Sequence, residues 1–324
     1  MPSYVTHIMF GELVKRKLEL RGLGEEDLGA LEAHPTAYHW GTQGPDILFF
    51  RNGFKKAPNP LGDSGAKMHK IENERLFQNL LRYLREVVTP EDRGAATAYA
   101  WGFVCHYGLD RTVHPYVYFM QEKRRSTYTS SVPYGIHMKL ETDMDTALYT
   151  LMTGKEIRRF RQNPRWVEDG DDIAAICRLQ SWLIRETYGD DYTPEFIRPC
   201  IYQAYRKEQM MFDPTYIKSY LYCRWFELLY GEKNTHCANC RPKRVAYDVL
   251  NQERRSWMNF REPERERKES VPQLIQEAEE QTADLIIEFS KGVRTGGFPQ
   301  FDFSVTFDDG NPAVFGVHTK YLEE

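Results

Sequence analysis

Residues 105–141 read CHYGLDRTVHPYVYFMQEKRRSTYTSSVPYGIHMKLE, and the fold turns on how this stretch is read. It holds two pairs of the form His-x-x-x-carboxylate, His106 with Asp110 and His137 with Glu141, and His114 lies between them. On an α-helix, positions i and i+4 lie one above the other on one face. Each pair therefore offers an imidazole nitrogen and a carboxylate oxygen to one point in space. Such a set suits zinc, which accepts nitrogen and oxygen ligands. The residues just before the first pair, Gly94 to Leu109, read GAATAYAWGFVCHYGL and carry no fixed charge. A helix apolar on nearly every side is a buried one, and a buried Asp110 must be paired, hydrogen-bonded or metal-bound. One pair alone would read as a core histidine bonded to a core aspartate. Two pairs and a third His within 36 residues favour a metal.

The rest of the 324-residue chain is consistent with one large domain or two smaller ones. Composition is that of a globular protein, 41% hydrophobic and 28% charged, with a net charge of −4. That balance gives no strong nucleic-acid signal and no argument for an anionic membrane surface. The opening residues, MPSYVTHIMFGELVKRKLELRG, lack the apolar run of a secretory signal. No segment reaches the roughly 20 apolar residues of a membrane span. Six Cys in this length do not make a disulfide framework. The expectation is a reduced, cytoplasmic protein.

In chain order, Thr6 is a candidate helix cap, His7 opens the first helix, and Gly22 and Gly24 end it. HPTAYHWGTQGPDILFF, with His34, His39 and Asp46, reads as a loop that the apolar run Ile47 to Phe50 anchors to the core. RNGFKKAPNPLGDSGAK reads as a surface loop, and His69 starts a helix running to about Val88. Thr89-Pro90-Glu91-Asp92 opens the buried helix that carries His106 and Asp110. His114-Pro115-Tyr116 begins a turn or a new helix, and residues 123–136 form a flexible loop. The helix with His137 and Glu141 continues to Leu151, and further helices lie near 171–187, 193–209, 212–230 and 270–291. Between the last two, REPERERKES reads as a solvated loop or helix face. His236, Cys237 and Cys240 form a lone Cys-x-x-Cys with a neighbouring His. A closed structural zinc site wants a second pair, so these read as reduced loop cysteines. In the tail, Phe301, Phe303, Val305 and Phe307 alternate with polar residues, which suggests an extended arm or short strand. The division expected is a helical metal-binding domain over 1–293 and a C-terminal arm over 294–324.

The ordered set His7, Asp46, His69, His106 with Asp110, His114, and His137 with Glu141 resembles the zinc-dependent phospholipase C family, whose relatives include single-strand nucleases of the same helical fold. The matching pieces are THIMFG, GTQGPDILFF, KMHKIE, CHYGLDRTVHPY and HMKLE, within roughly residues 1 to 152. The resemblance implies an all-α, compact multi-helix bundle with a trinuclear zinc site. Asp46, His69, His106 and Asp110 would hold one zinc, and His7 and Asp110 a second, with Asp110 bridging. His114, His137 and Glu141 would hold a third. The site would hydrolyse a phosphodiester with a metal-activated water, which Asp46 would orient or deprotonate.

Three departures bear on this. Secreted members of the family use their mature N-terminal residue as a zinc ligand, and this chain starts at Met1 with no signal to cleave. With Met1 retained the second zinc is short of ligands, whereas removal of Met1 would leave the Pro2 amine, so about two or three zinc ions per chain are expected. The tail after Val293 is too short for the lipid-binding β-sandwich of membrane-damaging members. Residues matching those that bind choline are not evident. The substrate expected is thus a phospholipid or another phosphodiester. The alternatives are a nuclease or nucleotidase, with Tyr107, Tyr116, Tyr118, Tyr128 and Tyr134 stacking bases beside Lys123, Arg124 and Arg125, and a non-catalytic helical scaffold stabilised by metal.

Overall fold

The computed structural model describes residues 4–52, 58–125, 133–230 and 240–311. The chain begins with α1 (Tyr4–Leu20), α2 (Glu25–Ala33) and α3 (Pro35–Gln43), then a 3-10 helix over Gly44–Phe50. Next come α4 (Pro60–Lys70), α5 (Asn73–Arg82) and a π-helical turn over Tyr83–Val87. The long α6 (Arg93–Lys123) is followed by α7 (Pro133–Thr153), the short α8 (Arg165–Glu168), α9 (Gly170–Tyr188), α10 (Pro194–Met211) and α11 (Ile217–Tyr230). A hairpin of β1 (Trp257–Asn259) and β2 (Glu262–Arg267) precedes α12 (Val271–Thr295). The all-α class expected from sequence holds, since this antiparallel hairpin is the one sheet among the described residues.

Helix α6 is the axis of the molecule. Nearly every residue from Ala95 to Glu122 is buried, as the charge-free run implies, and the other helices lay their apolar faces against it. Its closest neighbour is α3, and two glycines set that closeness. A Cβ on Gly41 would lie 2.3 Å from the Tyr99 carbonyl oxygen, and one on Gly102 would lie 2.4 Å from that of Tyr38. Any larger residue at either position would drive the two backbones apart.

Several local expectations are corrected. Thr6 does not cap α1 but lies within it. The segment read as a loop from His34 onward is α3 plus the 3-10 helix. Thr36 to Gln43 are all buried, so no polar face marks the helical period. The surface loop before His69 is partly α4, and His69 closes that helix rather than opening the next. A break follows at Glu72, whose φ is 57°. Asp92 is the residue preceding α6, but its side chain makes no cap and instead takes both hydrogen bonds of Arg178.

Pro115 neither breaks α6 nor starts a new helix, because tertiary burial on both sides of it outweighs one lost backbone hydrogen bond. Within the charged run, Glu262–Arg267 is strand β2, exposed from Glu262 to Glu266 and paired with β1. With charges on both faces it shows no alternation from which a strand can be read. The tail is a series of turns rather than a strand, with Phe303 and Phe307 buried. Of the loop expected over 123–136, residues 126–132 lie outside the described residues, as do His236 and Cys237. Cys240 is a buried free cysteine.

Candidate metal centre

All eight residues singled out in the sequence come together, and all are buried. They arrive on five elements: His7 on α1, Asp46 on the 3-10 helix, His69 on α4, His106, Asp110 and His114 on α6, and His137 and Glu141 on α7. Their donor atoms form three groups: His7, His106 and Asp110; Asp46, His69 and His106; His114, His137 and Glu141. The first two share His106.

Asp110 is the hub. Its carboxylate lies 3.2 Å from His7 Nε2, 3.2 Å from His106 Nε2 and 4.0 Å from both His69 Nε2 and His114 Nδ1. Asp46 Oδ1 is 3.3 Å from His69 Nε2. Glu141 Oε1 is 2.8 Å from His137 Nε2 and 3.4 Å from His114 Nε2. The third group is the one the resemblance implies. The other two differ from it in detail, because the structure places His106 beside His7.

Local chain geometry explains the convergence. Gly44, at φ 52°, turns the chain from α3 into the 3-10 helix, and a Cβ there would lie 2.5 Å from His106 Cγ. The GTQGPD stretch therefore needs this glycine both for the turn and to admit the imidazole while Asp46 swings inward. At the other side, Asp145 of α7 accepts bonds from Val5 N (3.3 Å), Thr6 N (2.7 Å) and Thr6 Oγ1 (2.8 Å). Arg241 Nε, 2.8 Å away, balances the buried charge. This anchor ties the start of α1, and with it His7, to the helix carrying His137 and Glu141.

Four of the five imidazoles are held by a hydrogen bond at Nδ1. His106 Nδ1 meets the Thr42 carbonyl at 3.0 Å, His69 Nδ1 the Gly65 carbonyl at 2.7 Å, His114 Nδ1 the Phe307 carbonyl at 2.5 Å, and His137 Nδ1 the Gln121 amide oxygen at 3.2 Å. An Nδ1–H donated to a carbonyl oxygen fixes the ring and leaves Nε2 as an inward lone pair, the arrangement characteristic of metal-ligating histidines. His7 has no such partner on either nitrogen.

The donor set fits a cation. Nε2 of His7, His106 and His114, Asp46 Oδ1 and both Asp110 oxygens are fully buried and make no hydrogen bond. Buried polar atoms are ordinarily satisfied, and several converging on one volume mark a place where a positive ion completes the structure. The electrostatics agree. Burial pushes the Asp46 and Glu141 acids up, yet both stand at about 2, with His69 and His106 among the groups that lower Asp46 and His137 the largest of those that lower Glu141. Asp110 is likewise held well below its ordinary value against burial by His106, His114 and His7. Burial alone would depress His114, yet Asp110 and Glu141 raise it to about 10. Burial lowers His7, helped by the charge of His106.

Other sequence candidates fall elsewhere. His34 pairs with Asp172 at 2.7 Å, and His39 bonds the Tyr4 hydroxyl and stacks on Trp166. Of the aromatics considered for base stacking, Tyr107 donates to the Val305 carbonyl, Tyr116 packs on Trp257, and Tyr118 bonds Asp308. Tyr128 lies outside the described residues, as does the Tyr134 side chain. A cavity of about 600 Å³, lined by Tyr116, Phe119, Lys123, Arg124, Tyr247 and Trp257, does combine aromatic and basic groups. At about 100° per residue, however, Tyr116 and Phe119 point from α6 on the side opposite His114. Sequence reasoning missed the outer partners. Main-chain carbonyls of Thr42, Gly65 and Phe307 leave no mark in a sequence. Gln121 had one, lying seven residues after His114 and so on the same face of α6.

A family model described as zinc-dependent phospholipase C matches residues 6–207, well over half of the chain and inclusive of all eight candidate ligands. No curated protein and no solved structure matches the chain. No helix among the described residues is long and apolar enough to cross a membrane.

Proposed function

The chain belongs to the zinc-dependent phospholipase C family, and on that premise we propose that it hydrolyses a phosphodiester, of a phospholipid or another phosphoester, at the centre organised by Asp110. The observation that carries the reading is the convergence of eight buried donors, many unsatisfied within the protein, in groups of composition suited to zinc. Zinc bound there supplies Lewis acidity and lowers the pKa of a water towards neutrality.

The chain's own residues do the rest. Asp46, Asp110 and Glu141 place three carboxylates in a low-dielectric interior, where they attract a cation strongly. The outer hydrogen bonds of His69, His106, His114 and His137 hold the four rings with Nε2 aimed inward. Asp46, ionised down to a pH of about 2, suits the role of a ligand that also accepts a hydrogen bond from the attacking water. So low a pKa makes it a better orienting group than a proton store.

A second reading, a helical scaffold that keeps metal for stability, is favoured by one observation: every candidate ligand is buried. Structural zinc sites are closed, while catalytic ones keep a position for water. The deciding experiment is elemental analysis of protein purified without chelator or metal-binding tag, followed by assay on a chromogenic phosphodiester and on phosphatidylcholine vesicles. About two or three zinc ions per chain with turnover is the expected result. One or none after zinc reloading overturns the multinuclear hydrolase. A full zinc complement with no turnover on any phosphoester makes the scaffold the better account.

A further inference from the structure

The matched region ends at residue 207, yet the metal centre is bounded by a segment a hundred residues further on. The chain leaves α12 at Gly296 and runs back across α6, where Phe307 and Asp308 lie against the cluster. Phe307 is fully buried, its ring 5.5 Å from that of His69, 5.8 Å from His106 and 4.7 Å from Tyr107. Its carbonyl accepts the Nδ1 hydrogen bond of His114 at 2.5 Å.

That carbonyl is fixed from both sides. Two residues earlier, the Val305 carbonyl accepts from Tyr107 Oη at 2.6 Å. One residue later, Asp308 N donates to the His69 carbonyl at 3.2 Å, and the Asp308 carboxylate accepts from the Tyr118 hydroxyl. Asn311 Nδ2 reaches the Tyr118 hydroxyl (3.2 Å) and Asp308 Oδ2 (3.3 Å), and Lys70 Nζ stands 3.8 Å from Asp308 Oδ2. Further on, Gly310, at φ 74°, lies so close to α6 that a Cβ would come within 2.7 Å of Pro115 Cα. Tyr107, His114 and Tyr118 stand seven and four residues apart, hence on one face of α6. The arm is docked along that face.

We propose that Asp308 is a positioning residue of the metal centre, which through its latch to Tyr118 and to the His69 backbone holds the Phe307 carbonyl where it orients His114 as a ligand. This rests on the reading that His114, His137 and Glu141 hold a zinc ion. The arm also joins two ligand groups mechanically, since Asp308 N is tied to α4, which carries His69, while the Phe307 carbonyl serves α6. Loss of an outer partner of a ligating histidine costs roughly 10–100-fold in metal affinity, and the loss falls on the site that histidine serves.

The test compares wild type, Tyr118→Phe and Asp308→Ala. Zinc content is read after dialysis against a series of buffered free-zinc concentrations, together with the melting temperature of each metal-free protein. The expected result is that both variants lose one zinc equivalent at roughly 10–100-fold higher free zinc than wild type. The remaining zinc should be retained, with metal-free melting temperatures close to that of wild type. Tyr118→Phe removes only a hydroxyl and keeps the test valid should Asp308→Ala fold poorly. Retention of every zinc ion by both variants with wild-type affinity overturns the proposal. So does uniform loss of all zinc alongside a lowered metal-free melting temperature, since the arm then serves the fold and not His114. Failure of the wild type itself to take up zinc counts instead against the metal reading.

Discussion

The two ends of the metal centre are built differently. At one end, His69 is oriented by the Gly65 carbonyl, four residues before it in the same helix, and His106 by the Thr42 carbonyl of α3, 64 residues before it. At the other end, His114, His137 and Glu141 come from two long helices. Their histidines are oriented by a side chain, Gln121, and by a carbonyl 193 residues away in the tail. The first end is oriented by main-chain carbonyls of α3 and α4, both within the matched region. The second depends also on the tail, so it is complete only once the far end of the chain has docked. The difference teaches where the centre should be robust and where it should be adjustable.

The sharpest way to break this comparison is Asp110→Asn. Asp110 reaches His7, His106, His69 and His114, so it alone belongs to both ends, and the amide keeps its shape while removing its charge. Zinc affinity should fall by more than about a hundredfold, beyond what loss of an outer partner causes, and phosphodiester hydrolysis should fall with it. Equal metal content in wild type and variant, measured by elemental analysis, would sink the assignment of the hub. Cys240→Ala, at a buried free thiol, should leave zinc content unchanged and serves as the control.

A smaller and more local effect is expected of Glu141→Gln. Glu141 contacts His114 and His137, so one zinc equivalent should be lost while the Asp46–His69–His106 group keeps its own. Loss of all zinc would show that the two ends are not separable. Smaller still is Gln121→Leu, which removes the outer partner of His137 alone. It should weaken the same zinc by roughly 10–100-fold, and mutating Gln121 and Asp308 together should weaken it more than either does singly. Wild-type zinc affinity in Gln121→Leu would mean that ring orientation at this end is set by packing alone.

How much of this was legible follows from where the information resides. The ligands were readable because their chemistry is carried by side chains at helical spacing, and α6 because its interior carries no charge between Gly94 and Leu109. Helices α9, α10 and α12 have one buried face and were found near their true bounds. By contrast, α3 is buried all round and rich in residues of low helix propensity, and α4 contains two glycines, so tertiary packing and not local preference makes them helical. The role of the tail was illegible for a stricter reason. Phe301, Phe303 and Phe307 announced burial, but the group that matters is the Phe307 backbone oxygen, which any residue would supply.

The mildest expected effect concerns protons. In the metal-free chain Asp46 and Glu141 have acids lowered to about 2. Their contribution to stability is therefore present above the ordinary carboxylate range and is lost as pH falls through about 2. His114 is raised to about 10, so its contribution is fully present below the unfolded value of about 6.5 and is lost as pH rises through about 10. At pH 7 the carboxylates have already lost their protons, whereas His114 retains one that metal binding must displace. Zinc uptake at the His114–His137–Glu141 end should then release about one proton from His114. The stabilisation that zinc confers there should grow as pH rises from 6 to 9. Calorimetric titration at pH 7 in two buffers of different ionisation enthalpy measures that proton. The Glu141→Gln variant, which lacks this zinc, should show correspondingly less release. No buffer dependence in the wild type would mean that His114 is neutral before metal arrives, so that the carboxylates of Asp110 and Glu141 do not hold a proton on it.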